Sequence, residues 1–491
     1  MDYKKPNLGL EPLPDIDFNI RSGNTLVGYA TLADLDKGEQ GGLFGDEEKQ
    51  AILEEADVVS RTYARFKDAQ LVMHSDPKQY KDAKDALNER LEVLNRKLNK
   101  YLAVTYLGST PSEKAYEKWL ASHQPFHWLA EYYTTIAQGG FDVIIGNPPY
   151  VEYSSSNVDY AVRPSDFGTF SSRNLYSYVF ERSKGLSKSG SRVGMIVQIS
   201  SISTPTMETM TKEVRKNAAS VWISNYATRP SYLFDGVTMN LTIILAQVEK
   251  RESPSLTYST HYLRWNPEYR PYLFQIIPYN QTDTRLSLFS FGIPKLTHSF
   301  ENDVLEKLIG QDGAVSSYVA NNEVRRNKMH YRTAGGRYFK IFLDRDFGSE
   351  SKSNKAKSFQ RQYDLHALIA VVSSNLWWWY YTLHFDMYNC KDYMIFSFRF
   401  DYDSCLQIPE LSSLGKALTV DLVDNAEKKT QSYATTGDRS QLIFRPALSK
   451  PIIDEIDKVL AKHYGFTPEE LDFIINYDIK YRMGKELEAE E

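Results

Sequence analysis

Apolar and polar positions change period along this chain, and the changes predict its elements. Leu13 to Arg21 alternates, so a strand is expected over residues 16–21, closed by the turn Ser22-Gly23-Asn24-Thr25-Leu26. Residues 45–105 read as a helical hairpin. In its second arm Leu87, Leu91, Leu94 and Leu98 recur at helical spacing with charged residues between them, and the turn is expected near His74-Ser75-Asp76-Pro77. Residues 111–137 look helical. Phe141 to Ile145 is then a short apolar run between Gly139-Gly140 and Gly146-Asn147-Pro148-Pro149, the pattern of a buried strand. A polar, Ser-rich loop (153–173), a helix from Asn174 and a strand over Val193–Val197 follow. A helix with Lys212, Arg215 and Lys216 leads to strands at 221–226 and 241–245. Beyond residue 250 the elements become short and mixed. Residues 451–483 are helical, with an acidic tail behind them.

The stretch Asn147-Pro148-Pro149-Tyr150 carries the chemistry. Two prolines fix φ and have no N–H, so the carbonyls around them stay out of any ladder. The Asn147 side-chain carbonyl and a neighbouring backbone carbonyl then converge as acceptors beside an aromatic ring. That arrangement suits a planar group bearing an NH2, which the acceptors orient while the ring stacks on its plane. A plain strand ending in a stiff turn is the alternative.

Asn147 to Tyr150 after a hydrophobic strand resembles the catalytic motif of S-adenosylmethionine-dependent amino-methyltransferases. With Phe126-His127-Trp128 and Gly139-Gly140-Phe141-Asp142 before it, the stretch resembles the adenine-specific DNA methyltransferases of restriction–modification systems, especially large fused enzymes. The resemblance implies an α/β fold: an incomplete Rossmann-like class I methyltransferase domain with an inserted helical hairpin, followed by a mixed α/β target-recognition domain. The corresponding divisions are 1–44 (third-strand region), 45–105 (hairpin), 106–250 (catalytic segment), 251–450 (target recognition) and 451–491 (C-terminal helical segment).

It also implies roles. Asn147 and the Pro148 carbonyl accept hydrogen bonds from the amine of a flipped adenine, with Pro149 completing the turn. Tyr150 and Phe234 stack on the base. Gly23 and Asn24 form the turn that touches the adenine of S-adenosylmethionine. Cytosine-N4 transfer uses the same chemistry but more often shows Ser in place of Asn. Protein-glutamine and RNA-guanine methyltransferases share the motif but lack so long a C-terminal region.

The implied sheet order is 3-2-1-4-5-7-6. The glycine-rich cofactor loop that should follow the first strand is missing between Met1 and Phe141. The expectation is therefore the C-terminal portion of a split or truncated enzyme, completed by a separately encoded N-terminal half. The rival reading is a non-catalytic DNA-recognition subunit or remnant. The sequence shows no convincing nuclease motif.

Composition adds limits. The 491 residues are 42% hydrophobic and 25% charged, with a net charge of −5, so any contact with double-stranded DNA must come from a local patch. Residues 321–360 supply one, with ten basic residues against four acidic. Arg325, Arg326, Lys328, Arg332, Arg337, Lys340, Lys352, Lys355 and Lys357 are the candidate phosphate contacts. Cys390 and Cys405 show no metal spacing, which suits a cytoplasmic protein without a disulfide framework. His127, between Phe126 and Trp128 with no cysteine or carboxylate constellation accompanying it, reads as a packed residue. Asn375 to Tyr381 falls on a helix whose aromatics are mostly core, because five consecutive side chains cannot aim at one ligand.

Overall fold

A computed structural model describes residues 18–40, 45–71, 76–250, 255–275, 277–324, 327–336, 338–349, 351–433 and 437–482. The chain divides into two compact units. The first takes the residues through Val197 with Lys212–Val221 and Ile244–Ser255; the second takes Gln198–Thr211, Trp222–Ile243 and the residues from Leu256 onward. The units therefore do not follow a single linear boundary at residue 250. Segments before it serve the second unit: the Thr211 hydroxyl donates to the Phe291 carbonyl at 2.8 Å, and Ile293 N–H donates to Ile202 O at 3.1 Å.

In the first unit the helical hairpin forms as its spacing predicts, from helices Asp46–Leu71 and Pro77–Leu107. The Asp76 side chain caps the second helix by accepting from Gln79 N–H, and Pro77 occupies its first turn. Gly108, at φ 76°, ends it in the left-handed conformation. Leu87, Leu91, Leu94 and Leu98 are buried with Ile52, Ala56, Val59 and Phe66. The same cluster holds Leu129, Ala130, Ile136 and Leu186, with Ile144 packed against it. The hairpin is thus continuous with the core beneath the motif strand rather than a detached spacer.

The largest sheet comprises β1 (Phe141–Gly146), β2 (Ser187–Gln198), β3 (Ala218–Tyr226), β4 (Leu241–Val248), β5 (Leu256–Leu263) and β6 (Asn280–Gln281). Its order is β1-β2-β4-β3-β5-β6. The last strand of the catalytic segment, β4, lies between β2 and β3. The first four strands therefore follow the 4-5-7-6 half of the implied order, and the fold is mixed α/β with a class I methyltransferase-like sheet. β5 and β6 extend it further, which the short mixed pattern beyond residue 250 did not predict. Trp222 stacks on Tyr258 at 5.7 Å to join β3 and β5.

Two expectations fail in the first unit. The strand at 16–21 does not form over its described part: residues 18–20 are turn and bend. Phe18 turns into the hairpin core, 4.6 Å from Phe66, and that burial outweighs the local alternation. The second concerns β1, which is not fully buried. It runs parallel to β2, with Ile145 opposite Gly194 and Gly146 opposite Met195. On one face Val193, Met195 and Val197 are buried. On the other, Val143 is 59% and Ile145 79% exposed, and Leu245 of β4 is 40% exposed.

The second unit is built on the helix Asn375–His384, every residue of which is buried, as its aromatic run predicts. Helices Leu365–Ser373, Lys450–Tyr464 and Pro468–Asn476 pack against it, and Ile408–Asp424 packs on the first two of these. Buried Asp457 accepts from Asn375 N–H and Leu376 N–H, both at 3.1 Å, closing that helix's first turn. A small sheet carries the basic region in the order β8-β7-β9, from β7 (Lys328–Arg332), β8 (Phe342–Leu343) and β9 (Asn354–Ser358). A hairpin of β10 (Glu427–Tyr433) and β11 (Gly437–Ile443) follows. Among the described residues no helix is long and apolar enough to cross a membrane.

Candidate active site

β1 delivers its last residue, Gly146, into the turn Asn147-Pro148-Pro149-Tyr150. Gly146 has Met195 Sδ at 3.0 Å from where a Cβ would sit, so the strand end lies tight on β2. Pro148 is buried, Asn147 and Pro149 are exposed, and Tyr150 is half-buried. The Tyr150 hydroxyl donates to Asn147 Oδ1 at 2.9 Å and lies 3.2 Å from the Ile196 carbonyl of β2. One proton is shared between two acceptors, so the ring is tied to the strand and to the motif at once. The ring also meets buried Tyr176 edge-on, with centroids 6.3 Å apart. Burial pushes the Tyr150 phenol up to about 12, which keeps it a neutral donor.

The loop after Tyr150 is pinned at its base. Leu175 N–H donates to Val151 O at 3.0 Å, and Tyr153 N–H to Arg173 O at 2.9 Å. Its interior is a small cluster of Val162, Phe167, Leu175 and Tyr178, joined by Leu26. The Gly23–Leu26 turn and the loop behind the motif are therefore brought together. Asn24 Oδ1 accepts from Leu26 N–H at 3.1 Å, and Asn24 N–H donates to Gln124 O at 2.8 Å. His127 is buried, as expected. Its Nδ1 accepts from Tyr29 N–H at 3.0 Å, so Nε2 carries the proton and donates to Asn99 Oδ1 at 3.0 Å.

Phe234 lies in the second unit, half-buried in the loop that enters β4. That loop is held by Arg270, which donates to the Tyr232 carbonyl at 3.1 Å and the Leu233 carbonyl at 2.7 Å. Beside it is a cavity of about 320 Å³ lined by Arg229, Asn240, Tyr262, Arg264 and Tyr388 among others. Sequence reasoning missed these residues.

The basic candidates separate by environment. Lys352 and Lys355 are exposed. Lys328 is ion-paired with Glu323, and Lys357 donates to Asp392 at 3.1 Å. Arg332 donates to Asn354 Oδ1 at 2.9 Å and Ser349 Oγ at 3.1 Å. Lys340 departs from the expectation. It is buried, donates to the Gly335 carbonyl at 2.6 Å, and lies over the Tyr381 ring. Burial lowers its ammonium pKa. Arg325, Arg326 and Arg337 lie outside the described residues.

Among the described residues, Gly23, Gly28 and Gly140 do not form an open cradle for S-adenosylmethionine. A cofactor loop needs glycines that leave room for a ligand. At three of the described glycines that space is already filled, while Gly41 and Gly42 lie outside the described residues. A Cβ on Gly140 would sit 2.2 Å from the Leu186 carbonyl, one on Gly28 2.1 Å from the Phe126 carbonyl, and one on Gly23 2.9 Å from Phe126 Cβ. These glycines permit close packing of the chain on itself.

Residues 51–229 match the family model of the Eco57I restriction-modification methylases. No curated protein sequence matches the chain. Among solved structures, the Type IIL restriction-modification enzyme MmeI in complex with DNA is 10% identical, with 77% of this chain and 62% of that chain covered and a TM-score of 0.37. The ATP-dependent Type ISP restriction-modification enzyme LlaBIII bound to DNA is 10% identical, covering 69% of this chain and 35% of that one at a TM-score of 0.33. A nuclease-deletion mutant of the Type ISP enzyme LlaGI is 11% identical, covering 50% and 26% at 0.28. The match thus spans about a quarter to a third of the two Type ISP enzymes. Over residues 51–229, which hold the Asn147–Tyr150 turn, the chain is similar to the Eco57I restriction-modification methylases.

Proposed function

We propose that this chain is the catalytic and target-recognition part of a DNA methyltransferase that modifies the N6 amine of adenine in a restriction–modification or phage-defence system. The carrying observation is the exposed Asn147 amide at the end of β1, held by the Tyr150 hydroxyl. A carbonyl oxygen has two lone pairs, so Asn147 Oδ1 keeps one acceptor position for an amine while Tyr150 occupies the other. Asn147 Oδ1 and the Pro148 carbonyl would orient the NH2 and favour the positive charge that develops on its nitrogen. The adenine must leave the duplex to reach them. Tyr150 would stack on the extruded base. Lys352 and Lys355 would contact phosphates. S-adenosylmethionine is the methyl donor the resemblance implies, and a separately encoded N-terminal half would supply its glycine-rich loop.

The missing glycine-rich loop between Met1 and Phe141 favours a second reading, a recognition subunit that binds DNA without transferring a methyl group. The deciding experiment measures transfer from labelled S-adenosylmethionine to mixed-sequence DNA. It uses the purified chain alone, and then with the polypeptide encoded immediately upstream. Transfer in either sample that Asn147→Ala abolishes supports the methyltransferase. DNA binding without transfer in both supports the recognition subunit.

A further inference from the structure

The cavity of about 320 Å³ beside the Phe234 loop lies within the second unit, and the methyl-transfer chemistry gives it no task. The ends of three strands meet there. Thr228 and Arg229 follow β3, Thr238 and Asn240 precede β4, and Arg264 follows β5. The Gly335-Gly336 turn and Met387-Tyr388 lie across from them in the lining. The walls are basic. Arg229 lies over the Tyr232 ring at 5.2 Å and has no carboxylate partner among the described residues. Arg264 donates to Asp478 through Nη2 at 2.9 Å and lies over the rings of Tyr338 and Tyr481. Its Nε proton has no partner among the described residues. Buried Lys295 lies over the ring of Tyr262, a lining residue, and donates to the Leu383 and Phe385 carbonyls, both at 3.1 Å. The carboxylates acting on Arg264 and Lys295 are Asp478, already held by Arg264, and Asp386, whose own pKa burial raises. A buried ammonium held by neutral carbonyls is stabilised by an anion nearby, and Arg229 has a charge to offer one.

The rim is shaped for a strand to approach. Gly335 and Gly336 are left-handed at φ 81° and 63°, and no side chain there keeps another backbone away. Met387 is left-handed too, at φ 67°, a strained conformation for a non-glycine that persists where its surroundings fix it. Thr238, Gly335, Gly336 and Tyr388 are exposed, so the cavity opens outward. At roughly 30 Å³ for each water-sized group, its volume admits about ten of them. That is room for a phosphate with its sugar but not for a base pair. Guanidinium groups suit the phosphate because their N–H bonds form a planar fork. We propose that the cavity binds one sugar–phosphate unit of a DNA strand, with Arg229 and Arg264 on the phosphate and Tyr262, Met387 and Tyr388 beside the sugar. The inference rests on the DNA-binding part of the proposed function and adds a contact separate from exposed Lys352 and Lys355. A free nucleotide carries the same charge, but the side-chain-free, outward-facing rim favours a continuous strand.

The test uses the full chain with a labelled mixed-sequence duplex and, separately, thymidine monophosphate and inorganic phosphate. Duplex affinity is measured over a range of salt for the wild type, Arg229→Gln and Thr238→Trp. Thr238 is exposed and Arg229 partly so, and unfolding midpoints check that both variants fold. Arg229→Gln should lower the slope of log affinity against log salt by about 1. Thr238→Trp removes no charge but fills the cavity, and should weaken duplex binding at least as much. In the wild type, the phosphorus resonance of thymidine monophosphate should broaden when the chain is added. The duplex should reverse that broadening, a readout that needs no variant. An unchanged salt slope in Arg229→Gln, wild-type duplex affinity in Thr238→Trp, or no broadening overturns the proposal. Broadening that the duplex does not reverse, or that inorganic phosphate shows equally, overturns it in favour of a site for a free nucleotide or anion. No methyl donor is present. A chain that meets these expectations and never methylates therefore defeats the functional proposal alone, whereas methylation with an unchanged Arg229→Gln slope defeats this inference alone.

Discussion

The Tyr150 hydroxyl donates to Asn147 Oδ1 at 2.9 Å, so the two polar groups of the motif are bonded to each other before any substrate arrives. Asn147 is thereby oriented with its amide oxygen defined and exposed. Replacing it with Ala removes the oriented acceptor and leaves the Tyr150 proton to the Ile196 carbonyl at 3.2 Å. Asn147→Ala should lower methyl transfer by about 10²–10³-fold, the usual cost of losing one oriented charge-stabilising group. DNA affinity, measured by titration of a labelled duplex, should stay within about threefold of the parent, because phosphate contacts dominate it.

Tyr150→Phe separates the ring from the hydroxyl. The ring keeps its edge-on packing with Tyr176, and only the tie to Asn147 and β2 is removed. A neutral hydrogen bond of this kind contributes about 1 kcal/mol, so transfer should fall by roughly fivefold. Tyr150→Ala removes the stacking surface as well and should cost roughly a further 5- to 150-fold, from the roughly 1–3 kcal/mol that base stacking contributes. Equal losses in the two variants, read from single-turnover rates, would place the whole effect on the hydroxyl.

The elements most legible in the sequence were those whose signal is local. The spacing of Leu87, Leu91, Leu94 and Leu98 specified a helix with one buried stripe, and Asp76-Pro77 specified its start. The apolar run at Phe141–Ile145 was correctly a strand, but its exposure was not legible: the same run serves a strand buried on both faces and one with a face left open. Phe18 shows the opposite failure. Alternation suggested a strand, yet the partners that decided its fate, Tyr63 and Phe66, come from a helix more than forty residues away. The position of β4 between β2 and β3 came from the family resemblance, since no periodicity encodes strand order. In the basic stretch, charge count could not separate Lys340, buried on the Gly335 carbonyl, from exposed Lys355.

That separation is testable on DNA. Lys355 on β9 and Lys352 in the turn before it are exposed, whereas Lys340 is turned into the core. Removing one phosphate-binding cation should reduce the slope of log affinity against log salt by about 1. The double variant Lys352→Ala/Lys355→Ala should therefore flatten that slope by about 2 and weaken binding across all sequences. Lys340→Met keeps an apolar stem in the same space and should leave both affinity and slope unchanged. A salt slope that falls in Lys340→Met would return that residue to the DNA-contacting set.

Acid should unfold the first unit through His127. Its ring is buried, accepts from Tyr29 N–H and donates to Asn99, and burial pushes its pKa from 6.5 down to about 3. The unfolded imidazole takes a proton near pH 6.5, while the folded one stays neutral until about pH 3. Between those values the unfolded state binds more protons. Stability is therefore full above pH 6.5 and declines as the pH falls through the window, by at most about 1.4 kcal/mol per pH unit for this one group. His261 and His384 of the second unit, pushed down to about 4 and about 3 by burial, add the same dependence there. His127→Asn replaces the titrating ring with a neutral amide. The variant should be less stable at pH 7, because the shorter side chain leaves space in a packed site. Its loss of stability between pH 6.5 and pH 5 should nevertheless be smaller than the parent's. Denaturant unfolding at several pH values, followed by near-ultraviolet circular dichroism, reads both effects. An unchanged pH slope in the variant would mean that His127 is already protonated in the folded chain.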